Sequence, residues 1–152
     1  MLSSFQSYWR QIEKALQTGD ATEHTHRPAL AHLIQRLQPD ALVINEPKRI
    51  ACGAPDLAIQ RTQGGLTFTI GYIETKDVDA DLNQAERSEQ LQRYRHALPN
   101  LILTNYREFR WYVEGELRGI ATLTPRAPLL IRVQRLGSKK RVVGYFFIYE
   151  KT

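Results

Sequence analysis

Three side chains have the types and spacing for metal-assisted hydrolysis: Asp56 in Pro55-Asp56, and Glu74 and Lys76 in Glu74-Thr75-Lys76. Two carboxylates held close together repel, and a divalent cation relieves that repulsion. Hard oxygen ligands with open water positions suit Mg2+ or Mn2+. Such an ion lowers the pKa of a bound water, orients it, and offsets charge on a phosphodiester. Lys76 can position that nucleophile or neutralise charge as it develops. The chemistry to look for is therefore cleavage of nucleic acid.

The elements that must position these groups are two adjoining strands. Residues 55–61 and 66–76 read as strands joined by a turn at Gln63-Gly64-Gly65. Alternate residues of a strand share a face, so Phe68, Ile70, Tyr72, Glu74 and Lys76 are expected to point one way. Asp56, at the start of the other hairpin arm, is expected opposite Glu74. Pro55 fixes φ just before it, and Gly53 loosens the approach. A helix over about 86–97 follows, closed by Pro99-Asn100. On it Gln90 and Tyr94 stand four apart on one face, with Arg87 one turn earlier and Leu91 and Leu98 toward the core.

The remaining segments frame this unit. Phe5, Tyr8, Trp9, Ile12 and Leu16 recur at helical spacing, predicting an amphipathic helix over 3–18 that ends at Gly19. Leu30, Leu33, Ile34 and Leu37 predict a second helix, stopped by Pro39-Asp40. Thr22 or Thr25 can cap it, and Pro28 favours the later start. Glu23 then sits at or just before the helix entrance. Ala41–Asn45 and Leu101–Thr104 read as short apolar strands, and Phe109–Val113 with Leu117–Thr122 as a hairpin around Glu114-Gly115-Glu116. The order is helix, helix, three strands, helix, strands. Consecutive strands before the helix imply antiparallel pairing, and a helical crossover returns the next strand in parallel. An α/β fold with a mixed central sheet flanked by helices is expected.

Composition narrows the class. A chain of 152 residues with 42% hydrophobic residues holds one core. No apolar run approaches the roughly 20 residues of a membrane span, so no membrane partner is expected. Met1-Leu2-Ser3-Ser4-Phe5-Gln6 lacks a basic segment followed by an apolar one, and the single cysteine, Cys52, excludes an internal disulfide; a cytoplasmic protein is expected. The net charge of +5 is uneven: residues 1–125 carry 14 Lys/Arg against 15 Asp/Glu, and residues 126–152 carry 7 against 1. The basic tail, read as a further hairpin over Leu129–Leu136 and Arg141–Tyr149, can grip a phosphate backbone or serve as a solubilising surface.

Other residues carry less. His24 and His26 diverge on a helix and, with His32 and His96, are read as surface histidines rather than a zinc cluster. Cys52 has no histidine in register to make it a nucleophile. Tyr106, Phe109, Trp111 and Tyr112 are read as core and cross-strand packing rather than a base-stacking platform.

Pro55-Asp56, Glu74-Thr75-Lys76 and Gln90-Leu91-Gln92-Arg93-Tyr94, in this order, resemble the PD-(D/E)xK nuclease superfamily, in particular its RecB-like branch with a Gln-x-x-x-Tyr motif. Several stretches resemble, more narrowly, the amino-terminal nuclease domain of fused restriction-modification enzymes. These are Thr22-Glu23-His24-Thr25-His26-Arg27-Pro28-Ala29-Leu30, Gly53–Asp56, Gly71–Lys76 and Leu101–Phe109, and the likeness spans about residues 5–122. It implies a restriction-endonuclease-like αβββαβ core and a nuclease domain over 1–125, with 126–152 part of it or appended. It implies that Asp56 and Glu74 bind Mg2+ or Mn2+, with the Thr75 carbonyl a third ligand and Glu23 a helix-borne acid completing the shell. Lys76 would be the catalytic lysine, and Gln90 and Tyr94 would orient the site or contact the DNA backbone.

The same resemblance brings expectations about partners. DNA is the implied substrate. The sequence contains no Asn-Pro-Pro-Tyr motif, no Gly-rich cofactor loop, no helicase motif and no target-recognition domain. Sequence-specific restriction is therefore not carried over, and methyltransferase, translocase or specificity subunits are the expected partners. The rival reading is a non-catalytic DNA-binding or assembly module that keeps the nuclease fold.

Overall fold

The computed structural model describes residues 2–124 and 130–135, with side chains from Ser3 to Thr124. Helix α1 (Leu2–Leu16) ends two residues earlier than its apolar spacing predicts, and Gly19 then turns the chain at φ 76°. Of the two predicted caps Thr22 is used, but for a 3-10 turn, and His26 rather than Thr25 precedes the α-helix. Thr22 opens a 3-10 turn (Glu23–His26), and α2 (Arg27–Leu37) follows with Pro28 in its first turn.

Among the described residues seven strands form one sheet, in the order β1 to β7. They are β1 (Ala41–Asn45), β2 (Leu57–Gln63), β3 (Leu66–Thr75), β4 (Asn100–Thr104), β5 (Glu108–Val113), β6 (Glu116–Thr124) and β7 (Leu130–Arg135). All neighbours are antiparallel except β3 and β4, which run parallel. That parallel step needs a crossover, supplied by α3 (Leu82–Glu86) and α4 (Glu89–Ala97). The polar stretch after Lys76 thus holds a short helix absent from the sequence reading, capped by the Asp81 carboxylate on the Asn83 N–H. Ser88 caps α4 in turn. Arg87 is consequently exposed at the end of α3, not one turn before Gln90 on the same helix.

The sheet is covered on both faces. On one, Phe5, Tyr8, Trp9 and Ile12 of α1 and Leu30, Leu33 and Ile34 of α2 pack on Leu57, Ile59, Ile73 and Ile102. On the other, Leu82, Leu91, Tyr94 and Leu98 of α3 and α4 pack on Leu101, Leu103 and Tyr112. Burying side chains of this size contributes about 1.5–3 kcal/mol each. The aromatics Tyr106, Phe109 and Tyr112 are buried, as core packing requires.

One expectation about β3 fails. Ile59 pairs with Gly71 and Gln60 with Thr69, leaving Ile70 as an extra residue. This bulge turns Ile70 toward the α1/α2 core while Tyr72 faces the α3/α4 core, so the two do not share a face. Among the described residues no helix is long and apolar enough to cross a membrane. Strand β7 pairs with β6; the rest of the predicted tail hairpin lies outside the described residues.

Candidate active site

The site straddles the ends of β2 and β3, with part of it on each face of the sheet. Leu57 pairs with Ile73, so Asp56, one residue before β2, stands level with Glu74. Its backbone is fixed by the Glu46 N–H, which donates to the Asp56 carbonyl at 2.8 Å. Its carboxylate is fixed by Thr75, which donates to Asp56 Oδ2 from both its N–H (2.7 Å) and its hydroxyl (2.8 Å). Asp56 Oδ1 accepts from Arg27 Nη2 at 2.6 Å.

Glu74 has its own set of partners. Its Oε1 accepts from Lys76 Nζ at 2.9 Å, and Lys76 Nζ also reaches Gln90 Oε1 at 3.3 Å. Gln90 in turn lies 3.4 Å, through Nε2, from the Tyr94 hydroxyl. Burial and the nearby charge of Asp56 push the Glu74 carboxyl up to about 7, against the opposing pull of Lys76. Glu74 Oε2 is buried and has no hydrogen-bond partner among the described residues. Such an orphaned acceptor is costly unless something fills it.

The third group comes from the entrance of α2. The Arg27 side chain is 5% exposed and ion-pairs with Glu23 (3.1 Å), Asp56 (2.6 Å) and Glu46 (3.3 Å). The Thr75 hydroxyl lies 3.1 Å from Glu23 Oε1 as well as near Asp56, so its one proton serves one acid at a time. Tyr106 Oη donates to the Glu23 carbonyl at 2.5 Å, and Tyr8 Oη donates to the Tyr106 carbonyl at 2.9 Å. The 3-10 turn is thereby pinned to the β4–β5 turn and to α1.

All seven residues singled out from the sequence converge on this end of the sheet, in two linked groups. Asp56, Thr75 and Glu23 gather around Arg27; Glu74, Lys76, Gln90 and Tyr94 form a chain of contacts on the α4 side. Thr75 engages Asp56 and Glu23 through its hydroxyl and N–H, polar groups the sequence reading passed over in favour of its carbonyl. Arg27, Glu46 and Tyr106 were missed as members of the site. Glu23 and Arg27 stand four apart, an ion-pair spacing that gave a usable signal; Glu46 gave none. His26 is a further correction. It is buried against the Tyr106 ring, centroids 5.1 Å apart, because the 3-10 turn rotates it inward.

The donor set fits a hard divalent cation at Asp56 and Glu74. Both are oxygen ligands, their mutual repulsion is part of what raises the Glu74 carboxyl, and Glu74 Oε2 is free to accept. Among the described residues no three or more His, Cys, Asp or Glu side chains are grouped to hold a metal. Arg27 lies between Asp56 and Glu23, and water ligands would complete the shell, as is usual for Mg2+.

The fold and these strand ends define a restriction-endonuclease-like fold: a mixed sheet between two helical layers with acids at the junction of β2 and β3. No protein-family model and no curated protein sequence matches the chain. Solved structures do. One is a chain of the cryo-EM structure of a DrdV–DNA complex, with a TM-score of 0.67 and 19% identity over 80% of this chain and 87% of that one. At that identity the likeness is one of fold.

Proposed function

We propose that this chain is a Mg2+-dependent DNA endonuclease, the nuclease module of a restriction-modification or related DNA-processing system. The nuclease unit comprises residues 1–125, with the basic 126–152 segment part of it or appended. DNA as the substrate is supported by the DNA-bound state of the structural neighbour. The observation that carries the reading is the unpartnered, buried Oε2 of Glu74, level with Asp56 and beside the Lys76 ammonium.

Asp56 and Glu74 would hold the ion, with the Thr75 carbonyl a further oxygen and Glu23 acting through Arg27 and Thr75. When bound, the ion supplies a water of lowered pKa and positive charge against the phosphate. The chain's own work is positioning. Thr75 and Arg27 lock the Asp56 carboxylate, and Gln90, itself held by Tyr94, steadies Lys76. Lys76 Nζ then donates to the attacking water or to the phosphate oxygen as charge builds.

Incubating plasmid with the protein and Mg2+ tests the assignment. Lys76→Ala and Asp56→Asn are expected to lose cleavage with folding unchanged; undiminished cutting by the Lys76 variant would rule it out. A non-catalytic DNA-binding role is favoured by one feature, the neutralisation of Asp56 by Arg27. Salt-sensitive, metal-independent DNA binding by a protein that never cuts would select that reading.

A further inference from the structure

The acid cluster already contains a permanent cation. Arg27 is buried, stays protonated at any working pH, and is held by three carboxylates at once. We infer that Arg27 takes the place a second metal ion would need, so that the site accepts one divalent cation, at Asp56 and Glu74, and not a pair. The inference deepens the metal-dependent reading above and rests on it.

The available lone pairs carry the argument. Two-metal sites hold their ions about 4 Å apart and commonly share a carboxylate, one oxygen on each ion. Asp56 is poorly placed to serve that way, because both of its oxygens already carry a donor. Its Oδ2 accepts from the Thr75 N–H and shares the Thr75 hydroxyl with Glu23, and its Oδ1 accepts from Arg27. Glu23 Oε1 is within reach of Arg27 and the Thr75 hydroxyl. The acceptors this leaves for the proposed ion are the second lone pair of Asp56 Oδ1 and the free Oε2 of Glu74, with the Thr75 carbonyl as the further oxygen; Glu23 Oε2 belongs to a carboxylate already paired with Arg27. That is one ion's share, with water for the remainder. A second ion near Glu23 would also sit against the guanidinium, and like charges at that distance repel strongly in a buried setting.

Mn2+ titration of the full chain, followed by the loss of the free-ion electron paramagnetic resonance signal, counts the ions directly. One equivalent per chain is expected for the unaltered protein and for Arg27→Lys. Arg27→Gln is expected to keep that site and gain a second, weaker equivalent. Two equivalents in the unaltered protein would overturn the inference, as would an Arg27→Gln protein that folds and still binds one. No Mn2+ bound at millimolar concentration would instead overturn the metal reading itself. If Arg27→Gln does not fold, by circular dichroism, the count in the unaltered and Lys proteins still decides.

Discussion

Gly53 and Tyr94 are fitted to one another: a Cβ on Gly53 would stand 2.9 Å from the Tyr94 Cε1 and hydroxyl. Gly53 also holds φ at 141°, a conformation L-residues rarely adopt. It sits in a small loop closed by two hydrogen bonds with Ile50, and Arg93 of α4 binds the neighbouring Cys52 carbonyl at 2.7 Å. The approach to Asp56 and the inner end of α4 are thus one packed unit.

Gly53→Ala is therefore expected to destabilise by about 1–3 kcal/mol and to push Tyr94 away from Gln90. Thermal melting reads the first effect and plasmid nicking the second. An unchanged melting temperature would mean the loop is free to move, contrary to this packing.

Glu74 makes stability fall as pH rises. Its carboxyl titrates at about 7 in the folded chain against 4.5 ordinarily, so the folded state binds the extra proton between those values. Its contribution is fully present below the lower value and is lost as pH climbs through the upper, a change of up to about 3 kcal/mol for the metal-free protein. Urea midpoints compared at about pH 5 and about pH 8 should show this slope, and Glu74→Gln should flatten it. A variant with the same slope as the parent would assign the effect elsewhere.

Tyr106→Phe removes the hydroxyl that holds the Glu23 carbonyl. A loss of about 0.5–1.5 kcal/mol is expected, together with faster amide exchange across Glu23–His26. Exchange unaltered in that turn would show that α1 and α2 hold it without help.

Arg110 tests the opposite face. It is buried and donates to Glu108 (2.5 Å), Glu86 (2.7 Å) and Asn83 (2.9 Å), anchoring α3 to β5. Arg110→Met leaves those acceptors short of a donor, at a cost of about 3–5 kcal/mol. Cleavage per folded molecule should stay at the parent level, since no site residue touches Arg110. A loss of turnover in fully folded protein would contradict that separation.

What could be read from the sequence follows the range of the forces involved. The Gly64-Gly65 and Glu114-Gly115 turns were legible because both central residues of each take positive φ, a demand local to the turn. That Asp56 would stand near the end of β3 followed from that turn and strand pairing; counted from the turn alone its partner would be Ile73, and the extra residue at Ile70 shifts it level with Glu74. The bulge itself did not follow, because it is set by how β3 pairs with β2 and not by residues 68–72 alone. Likewise Arg27 meets Asp56 across 29 positions and Tyr106 meets Glu23 across 83, and neither spacing has a local signature. His26 looked like a surface residue because its polarity was read without the 3-10 turn that carries it inward.

The sheet's strand order has a consequence for when the chain can act. Among the described residues every strand lies beside its neighbour in sequence, in two antiparallel meanders, β1–β3 and β4–β7, that meet along one parallel seam. Hairpins close over short loops and form early, whereas the seam waits for the whole crossover to be made and docked. Lys76 is tied across that seam, its N–H bonded to the Thr104 carbonyl at 2.8 Å, and Tyr106 reaches back over it to Glu23. A ribosome-bound chain that has not yet delivered β4 already holds Asp56, Glu74 and Lys76, but lacks the frame that aligns them. If the proposed cleavage holds, splitting the chain between the meanders should give two fragments that are silent alone and competent only together.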